Sequence, residues 1–273
     1  MAMKLYSDSD IQDIADAIRA KNGSQNTYTV SQMAAAITAI PSGGGISVDD
    51  IAQNLEPSGV VTLGSGVTSI QSSAFYNKPI TSLIGENVTS IGASSLRGTR
   101  IVKASFPKVT NFGDSALNSQ TYLQTLNLPN QVSNLGGYAI RYCSSLKNII
   151  LPRFNGGFGG FGLEGDTALE LIDYGIATVA LNNLPSCPLH TLILRKNTVQ
   201  ALTGNLSQST AFKSGGSGGH VYIPEVLYNH LGDGTSLDYK SATNWATYDT
   251  YGTIIWDKLE GSPYESVDWG NNL

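Results

Sequence analysis

Charged residues are scarce in this chain, and the few that it has are not predominantly basic. Only 14% of the 273 residues are charged, with 16 Lys and Arg against 21 Asp and Glu, so the formal net charge is −5. A nucleic-acid-binding protein needs a basic stripe to neutralise phosphates. The charge balance therefore argues against that class.

Long apolar runs are absent as well. No run of 18 apolar residues occurs, so nothing in the sequence predicts a membrane span. The start of the sequence, 1–12, has no apolar core of a secretory signal, and we expect no signal peptide. Abundant instead are Gly, Ser, Thr and Asn, which suit short strands joined by tight turns. This composition is more typical of extracellular or virion proteins than of cytosolic enzymes.

A short phrase, aliphatic residues followed by Ser or Asn, returns seven times at spacings of 21 to 23 residues. A period of this size is typical of a solenoid, in which no coil can bury its apolar side alone. The clearest copies are 66–75, 87–96, 108–117 and 131–140. The third apolar anchor of each copy falls at Ile70, Ile91, Phe112, Leu135, Phe158, Val179 and Leu202.

Each repeat predicts two strands separated by a turn of small residues. The second apolar stretch, as in 123–129, alternates at period two, which predicts a strand with one face buried. Glycines replace the polar turn in 155–162 and expand the last turn in 213–219. We expect tight curvature or flexibility at both places.

Other segments flank the repeats. Two amphipathic helices of about 12 residues cannot cover their own apolar stripes, so they need the end of the solenoid, a partner or copies of themselves. These stripes comprise Ile11, Ile14, Ile18, Met33, Ile37 and Ile40. The predicted segments are an N-terminal helical hairpin (1–40), a Gly-rich linker (41–45), an N-terminal cap (46–63), the repeat solenoid (64–223) and a C-terminal cap (224–273).

Aromatic residues concentrate near the end of the chain. All three tryptophans and six of the 13 tyrosines lie in 220–273, where 220–231 predicts a strand, a proline and a short helix. We favour a cap, because a terminal coil needs an atypical covering piece. The alternative is an aromatic ligand platform, since Tyr and Trp are enriched at binding hot spots.

The two cysteines, Cys143 and Cys187, occupy matching places in the fourth and sixth repeats. Stacked coils lie roughly 4.8 Å apart, so these sites are on the order of 10 Å apart. A disulfide needs Cα atoms within about 7 Å of each other. The sequence therefore predicts two free, buried thiols.

Signals for metal or cofactor chemistry are weak. The three histidines, His190, His220 and His230, do not have metal-site spacing, and we expect them on the surface or in the cap. Asp233 and Asp238 could belong to a calcium loop, but the ligand set of an EF-hand is incomplete. Neither a nucleophile elbow nor a P-loop appears. We predict no cofactor, no metal site and no enzymatic activity.

One acidic patch within the repeats could suggest glycan cleavage, which uses paired carboxyl groups. We favour solvated turn residues over an acid pair. The patch comprises Glu164, Asp166, Glu170 and Asp173.

The repeat phrase resembles the BspA-type leucine-rich repeat, also called the Treponema-type repeat. Val67–Phe75, Val88–Leu96 and Cys143–Pro152 carry its V-T-S-I-x-x-x-A-F and C-S-S-L-x-x-I-x-L-P patterns, and the ending, 221–248, is similar to the way such arrays close. The resemblance covers about two-thirds of the chain. It implies an α+β solenoid of about seven coils that acts in adhesion or protein binding, with no shared catalytic residues.

Residues 14–37 resemble a helical hairpin near the start of virion proteins of phages and prophages from Gram-positive gut bacteria. The two resemblances together imply a phage virion surface protein, a tail or head fibre that binds a receptor. The hairpin would hold other virion proteins or form a homo-oligomer, for which a trimer is the first expectation. The repeats would bind a host cell-surface protein or glycan, with no nucleic acid and no membrane insertion.

Three other functions stay open: a capsid decoration protein that binds neighbouring subunits, a bacterial surface adhesin and, last, a glycan depolymerase. The expected partner-binding residues lie beside the strands and in the aromatic C-terminal segment. They are Arg97, Arg100, Arg141, Tyr142, Tyr228, Tyr239, Trp245 and Trp256.

Overall fold

Two stacks of short parallel strands build the repeat region. The computed structural model describes residues 59–129, 131–151, 162–176, 179–181, 184–213, 218–249 and 252–266, together with Asp16. The chain divides into two compact units, 1–47 and 48–273. The predicted hairpin and its stripe residues, Ile11, Ile14, Ile18, Met33, Ile37 and Ile40, lie outside the described residues.

Longer strands alternate with shorter ones along the chain, and two short helices lie near its end. The strands are β1 (Val60–Thr62), β2 (Ser69–Ile70), β3 (Ser82–Ile84), β4 (Ser90–Ile91), β5 (Lys103–Ser105), β6 (Asn111–Phe112), β7 (Thr125–Asn127), β8 (Asn134–Leu135), β9 (Asn148–Ile150), β10 (Leu171–Asp173), β11 (Val179–Leu181), β12 (Thr191–Ile193), β13 (Leu202–Gly204), β14 (Gly219–Ile223) and β15 (Ile254–Lys258). The helices are α1 (Glu225–Tyr228) and α2 (Trp245–Asp249), preceded by a 3-10 turn at Leu206–Gln208.

Every strand pairs in parallel with its counterpart one repeat away. The long strands form the sheets β1-β3-β5 and β7-β9-β10-β12-β14-β15, and the short strands, of two residues each, form β2-β4-β6-β8. A further sheet pairs β11 with β13, which have three residues each. The register joins equivalent residues, so that Leu83 pairs with Val61 in one neighbour and Ala104 in the other. This arrangement confirms the predicted solenoid of short strands and turns, but it is a β-solenoid with few helices rather than an α+β one.

The apolar residues of the repeat phrase point inward, as the period predicts. The central residues of β1, β3, β5 and β7, such as Leu83 and Leu126, are buried, while their neighbours are partly or fully exposed. The short strands bury their second residue, and one continuous core runs from Val61 to Trp256. The predicted anchors Ile70, Ile91, Phe112, Leu135, Val179 and Leu202 are all buried in strands, and Phe158 lies outside the described residues.

The number of coils differs slightly from the prediction. We expected about seven, and the described part of the solenoid has about five regular turns. Strict alternation of a long and a short strand holds from β1 to β9, and among the described residues β9 is followed by another long strand, β10. The sequence departs from the repeat phrase between these strands, at the glycine-rich stretch 155–162.

The C-terminal aromatic residues pack inside the molecule rather than on its surface. The rings of Tyr239, Trp245 and Trp256 are buried, with centroids 5.2 to 5.7 Å apart. Trp245 Nε1 donates to the Gln200 carbonyl at 2.7 Å, and the Tyr239 hydroxyl accepts the Gln200 N–H at 2.9 Å. Their prediction as partner-binding residues was wrong, because these rings fill the core beneath the last strands.

The outer face of the long-strand sheet is covered at one end. Leu259 and Tyr264 belong to a second apolar cluster that also includes Ile150, Leu171 and Ile193. Arg195 donates to the Asp173 carboxylate at 2.6 to 3.0 Å and to the carbonyl of Tyr264 at 2.9 Å. The segment after β15 is thus held across strands β9 to β14.

Glycine is required where the short strands end, because the coils approach each other closely there. A Cβ on Gly113 would lie 2.6 Å from the Ala93 nitrogen, and one on Gly136 would lie 2.4 Å from the Gly113 carbonyl carbon. We expect Gly113→Ala to lower the free energy of unfolding by roughly 1–3 kcal/mol, the usual cost of overpacking. Urea denaturation measures this change.

Gly64→Ala is the matched control, since nothing lies within 4 Å of its added Cβ. It should change stability by less than about 0.5 kcal/mol. Equal effects of the two substitutions would contradict the close stacking of the coils.

Candidate functional site

Four successive coils make a six-residue turn after the short strand, at 72–77, 93–98, 114–119 and 137–142. We call the surface of these turns, with Arg100 and Tyr122 just beyond them, the turn face. Backbone N–H groups in each turn donate to carbonyls of the next coil at 2.8 to 3.0 Å, as from Gly98 to Asn118 and from Ser119 to Arg141. Equivalent residues therefore stack, in the order Tyr76, Arg97, Asn118, Arg141 and Glu164.

Each of these turns needs two residues in the left-handed backbone region. Small or polar residues fill most of these positions, such as Ser73 and Asn77. Tyr138 (φ 57°) and Tyr142 (φ 61°) are exceptions, because a bulky residue is strained there. Their side chains are 49% and 41% exposed, so burial does not offset that cost. Strain of this kind is concentrated at functional sites.

Arginine side chains lie over the exposed tyrosine rings. The Arg97 guanidinium is 5.7 Å from the ring centroid of Tyr76, and that of Arg141 is 5.4 Å from Tyr138 and 4.5 Å from Tyr142. Such cation–π contacts contribute roughly 0.5–1 kcal/mol at exposed sites. They orient the guanidinium groups on the surface.

Glu164 neutralises one of these arginines. It pairs with Arg141, and the Tyr142 hydroxyl donates to it at 2.8 Å. The hydrogen bond from Tyr142, followed by that from Arg141, lowers the pKa of Glu164. Its carboxylate is therefore charged and holds Arg141 and Tyr142 in place.

The other two arginines of the turn face, Arg97 and Arg100, have no carboxylate partner among the described residues. Arg141 pairs with Glu164 and Arg195 with Asp173, whereas Arg97 and Arg100 form no ion pair within the described part of the chain. Asp114 is a further acid on the turns, and its Oδ1 accepts the Gly137 N–H at 2.8 Å. The turn face thus presents two cations available to a ligand.

Polar groups on the short-strand face, by contrast, bond to one another. The hydroxyl groups of Thr89, Thr110 and Ser133 each donate to a carbonyl of the preceding coil at 3.1 to 3.2 Å. Asn134 Nδ2 donates to Asn111 Oδ1 at 2.6 Å in the same way. These groups stabilise the stack and are less available to a ligand.

Three of the predicted partner-binding residues, Arg97, Arg141 and Tyr142, lie on these turns, and Arg100 follows the turn 93–98 at an exposed position. Tyr228 is 37% exposed on α1, apart from them in the chain. Sequence reasoning missed Tyr76, Tyr122 and Tyr138, which are also exposed. One signal was present: in the fourth repeat, a tyrosine at position 138 replaces the small residue of the other turns.

A polar column runs through the core beside the turn face. Thr99, Gln120, Cys143, Asp166 and Cys187 occupy corresponding places in successive coils, and the Thr99 hydroxyl donates to Gln120 Oε1 at 2.9 Å. Both thiols are free and buried, which confirms that prediction. Burial raises the pKa of both thiols, so they stay protonated and unreactive.

Two acids of the repeats are buried, contrary to the prediction of solvated turn residues. Asp173 is paired with Arg195, and Asp166 Oδ1 accepts the Cys143 N–H at 2.7 Å. Glu170 does lie at the surface, 3.2 Å from Lys147. Because Asp166 is fully buried and Glu164 is held by Arg141, this patch is not arranged as an acid pair around a substrate.

The histidines and C-terminal acids form local contacts. His220 and His230 lie 2.6 Å from Asp257 and Asp233, respectively. Both carboxylate oxygens of Asp238 accept backbone N–H groups, which leaves them poorly placed for calcium. In the described residues, no group of three His, Cys, Asp or Glu side chains could hold a metal ion. That part of the chain also contains no helix long and apolar enough to span a membrane.

Comparison with protein families identifies the repeats. Residues 58–160 match the BspA type leucine rich repeat region in 6 copies. A search of curated proteins found no match. The matched stretch ends near the place where strict strand alternation ends. Residues 58–160 therefore consist of BspA-type repeats. Repeats of this type suggest a surface or adhesin-type repeat protein.

Asp166 should make stability depend on pH. Burial raises the pKa of its carboxyl group from 3.8 to about 8 in the folded protein, and Oδ2 has no hydrogen-bond partner. The unfolded chain releases this proton more readily, so the free energy of unfolding falls as pH rises from 3.8 to about 8.

We therefore expect Asp166→Asn to stabilise the fold at pH 8 by roughly 1–3 kcal/mol, because a neutral amide replaces a buried charge. Thermal denaturation from pH 4 to 9 measures the change. Asp114→Asn, on an exposed turn, is the control and should leave the pH profile unchanged. A wild-type profile in Asp166→Asn would contradict the burial of a carboxyl group at this position.

Tyr138 should contribute little to stability. Tyr138→Asn removes the ring but places a residue that tolerates the left-handed backbone, so stability should stay within about 0.5 kcal/mol of wild type. Tyr138→Val also removes the ring, yet its branched side chain should cost roughly 1–2 kcal/mol there. Chemical denaturation compares the two. Equal losses would mean that the ring itself stabilises the turn.

Proposed function

We propose that this chain is a non-enzymatic, adhesin-type binding protein of a phage virion surface and that its turn face holds the partner. The observation that carries the proposal is that Arg97 and Arg100, beside exposed tyrosine rings, have no carboxylate partner among the described residues. Arg and Tyr are among the residues most enriched at binding hot spots. The positive charges of these two arginines favour a negatively charged group of the partner at this surface.

Rigidity of the turn face favours binding. The turns are linked coil to coil by backbone hydrogen bonds, and Arg97 and Arg141 already lie over aromatic rings. A surface that is ordered before binding loses less conformational entropy when the partner docks. A stacked array can therefore bind through a few well-placed side chains.

Placement on a phage particle is the finer part of the proposal. Its support is the resemblance of 14–37 to the hairpin of virion proteins and the apolar stripes that need covering. In this view the N-terminal hairpin binds other virion proteins or forms a homo-oligomer, and the repeats face the host. The alternative virion role is capsid decoration, in which the turn face contacts a neighbouring subunit.

A binding role without catalysis agrees with the state of the candidate catalytic groups. Asp166 and both cysteines are buried, and Glu164 is engaged by Arg141 and Tyr142. We propose that no bond is made or broken in the partner.

Binding to a panel of Gram-positive gut bacteria tests the proposal. Fluorescently labelled full-length protein is titrated onto cells, and a double variant, Arg97→Ala with Arg100→Ala, is compared with wild type. We expect the double variant to bind at least about tenfold more weakly, since hot-spot arginines contribute more than about 1 kcal/mol each.

Lys196→Ala with Lys213→Ala is the matched control, because it removes the same charge from two exposed lysines outside the turn face. It should retain binding. Equal losses in the two double variants, or no loss in either, would contradict a role for the turn face. Binding to virions that lack this protein, with no binding to any cell, would favour capsid decoration.

A further inference from the structure

We infer that the turn face is a binding site for an anionic glycan, a polysaccharide that carries carboxylate or phosphate groups. This inference rests on the proposed binding function and names the chemistry of its partner. Three properties of the surface support this inference. Two arginines form no ion pair with a described residue, several aromatic rings are exposed, and backbone N–H groups of the turns already donate hydrogen bonds to the next coil.

Arg97 and Arg100 indicate that the ligand carries negatively charged groups. A guanidinium presents N–H donors in a planar fork that matches the oxygens of a carboxylate or a phosphate. The contact with the Tyr76 ring orients Arg97 and supplies no anion. Neither arginine has a carboxylate partner among the described residues, so an external anion would complete their interactions.

The glycan part follows from the tyrosines. Tyr76, Tyr122, Tyr138 and Tyr142 are 41% to 51% exposed, and each offers a flat apolar ring with a hydroxyl at its edge. The C–H face of a sugar ring can pack on such a surface while its hydroxyl groups bond to neighbouring polar groups. Tyr138 and Tyr142 also occupy strained backbone positions that a smaller residue would fill without cost.

Peptides and nucleic acids fit this surface less well. The backbone N–H groups of Gly98, Ser119 and Tyr142 already donate to the next coil, so the turns cannot add a peptide strand. Nucleic-acid binding depends on the neutralisation of many phosphates, and in the described part of the turn face only Arg97 and Arg100 form no ion pair. A sparsely charged polymer with sugar rings between its charges matches the spacing better.

The repeat of the solenoid suits a polymer. Coils stack about 4.8 Å apart, so Arg97 and Tyr138, two coils apart, are separated by roughly 10 Å. A polysaccharide that places an anion on Arg97 can therefore also lay sugar rings on the tyrosines of other coils. Such multiple contacts raise the apparent affinity without any single strong interaction.

Titration of the full-length protein with defined polymers tests the inference, with binding followed by calorimetry or biolayer interferometry. Polygalacturonate supplies carboxylates and teichoic acid supplies phosphates. Dextran is the neutral glycan, and polyglutamate and oligothymidine are the anionic polymers without a glycan chain. We expect polygalacturonate, teichoic acid or both to bind, and the affinity for one of these over the other identifies the source of the anion.

Two variants locate the site. Arg97→Ala with Arg100→Ala should weaken glycan binding at least tenfold, and Tyr138→Asn should weaken it several-fold although its stability is unchanged. Lys196→Ala with Lys213→Ala should bind like wild type.

Equal binding of dextran, polyglutamate or oligothymidine would overturn the inference, and so would anionic-glycan binding that all variants retain. If no glycan binds while cells are still bound through Arg97 and Arg100, the inference fails and the proposed function stands. If cell binding is also independent of these arginines, both fail.

Discussion

Backbone hydrogen bonds between equivalent residues of neighbouring coils are the constraint on which the rest of this structure depends. Parallel pairing in exact repeat register, as between Leu83 and Ala104, sends the same positions inward in every coil. It forces glycine where the coils approach each other most closely, at Gly113 and Gly136. It also stacks the turns, so that side chains 21 to 23 residues apart in sequence share one surface.

The same constraint separates the surfaces by their chemistry. On the short-strand face, hydroxyl and amide groups are used to join the coils, and part of the long-strand face is covered by the segment that Arg195 holds. Backbone N–H groups of the turns bond to the next coil, and among the described residues Arg97 and Arg100 remain without an ion pair. Tyr138 and Tyr142 occupy left-handed backbone positions, which lowers the stability of the fold. Such a loss of stability is expected where a side chain is needed to bind a partner.

Much of the fold was predictable because the repeat period determines which residues face the core in every coil. The spacing of Ile70, Ile91 and Phe112 gave the inward positions, and the spacing of the cysteines excluded a disulfide. Burial of Asp173 was not predictable, since its partner Arg195 lies 22 residues away in the next coil. Composition also could not predict which aromatic residues are buried in the core and which are exposed, and Trp245, expected at a binding surface, is buried. The turn face was half predicted, because its arginines were noticed but its stacked tyrosines require the exact register.

Chemical protection of arginines would test the turn face most directly. The full-length protein is treated with phenylglyoxal alone and in complex with isolated Gram-positive cell walls, and modification of each arginine is read by mass spectrometry. We expect phenylglyoxal to modify Arg97 and Arg100 in the free protein but not in the complex. Arg195, which is paired with Asp173, should react poorly in both. Unchanged reactivity of Arg97 and Arg100 in a complex that forms would contradict this expectation.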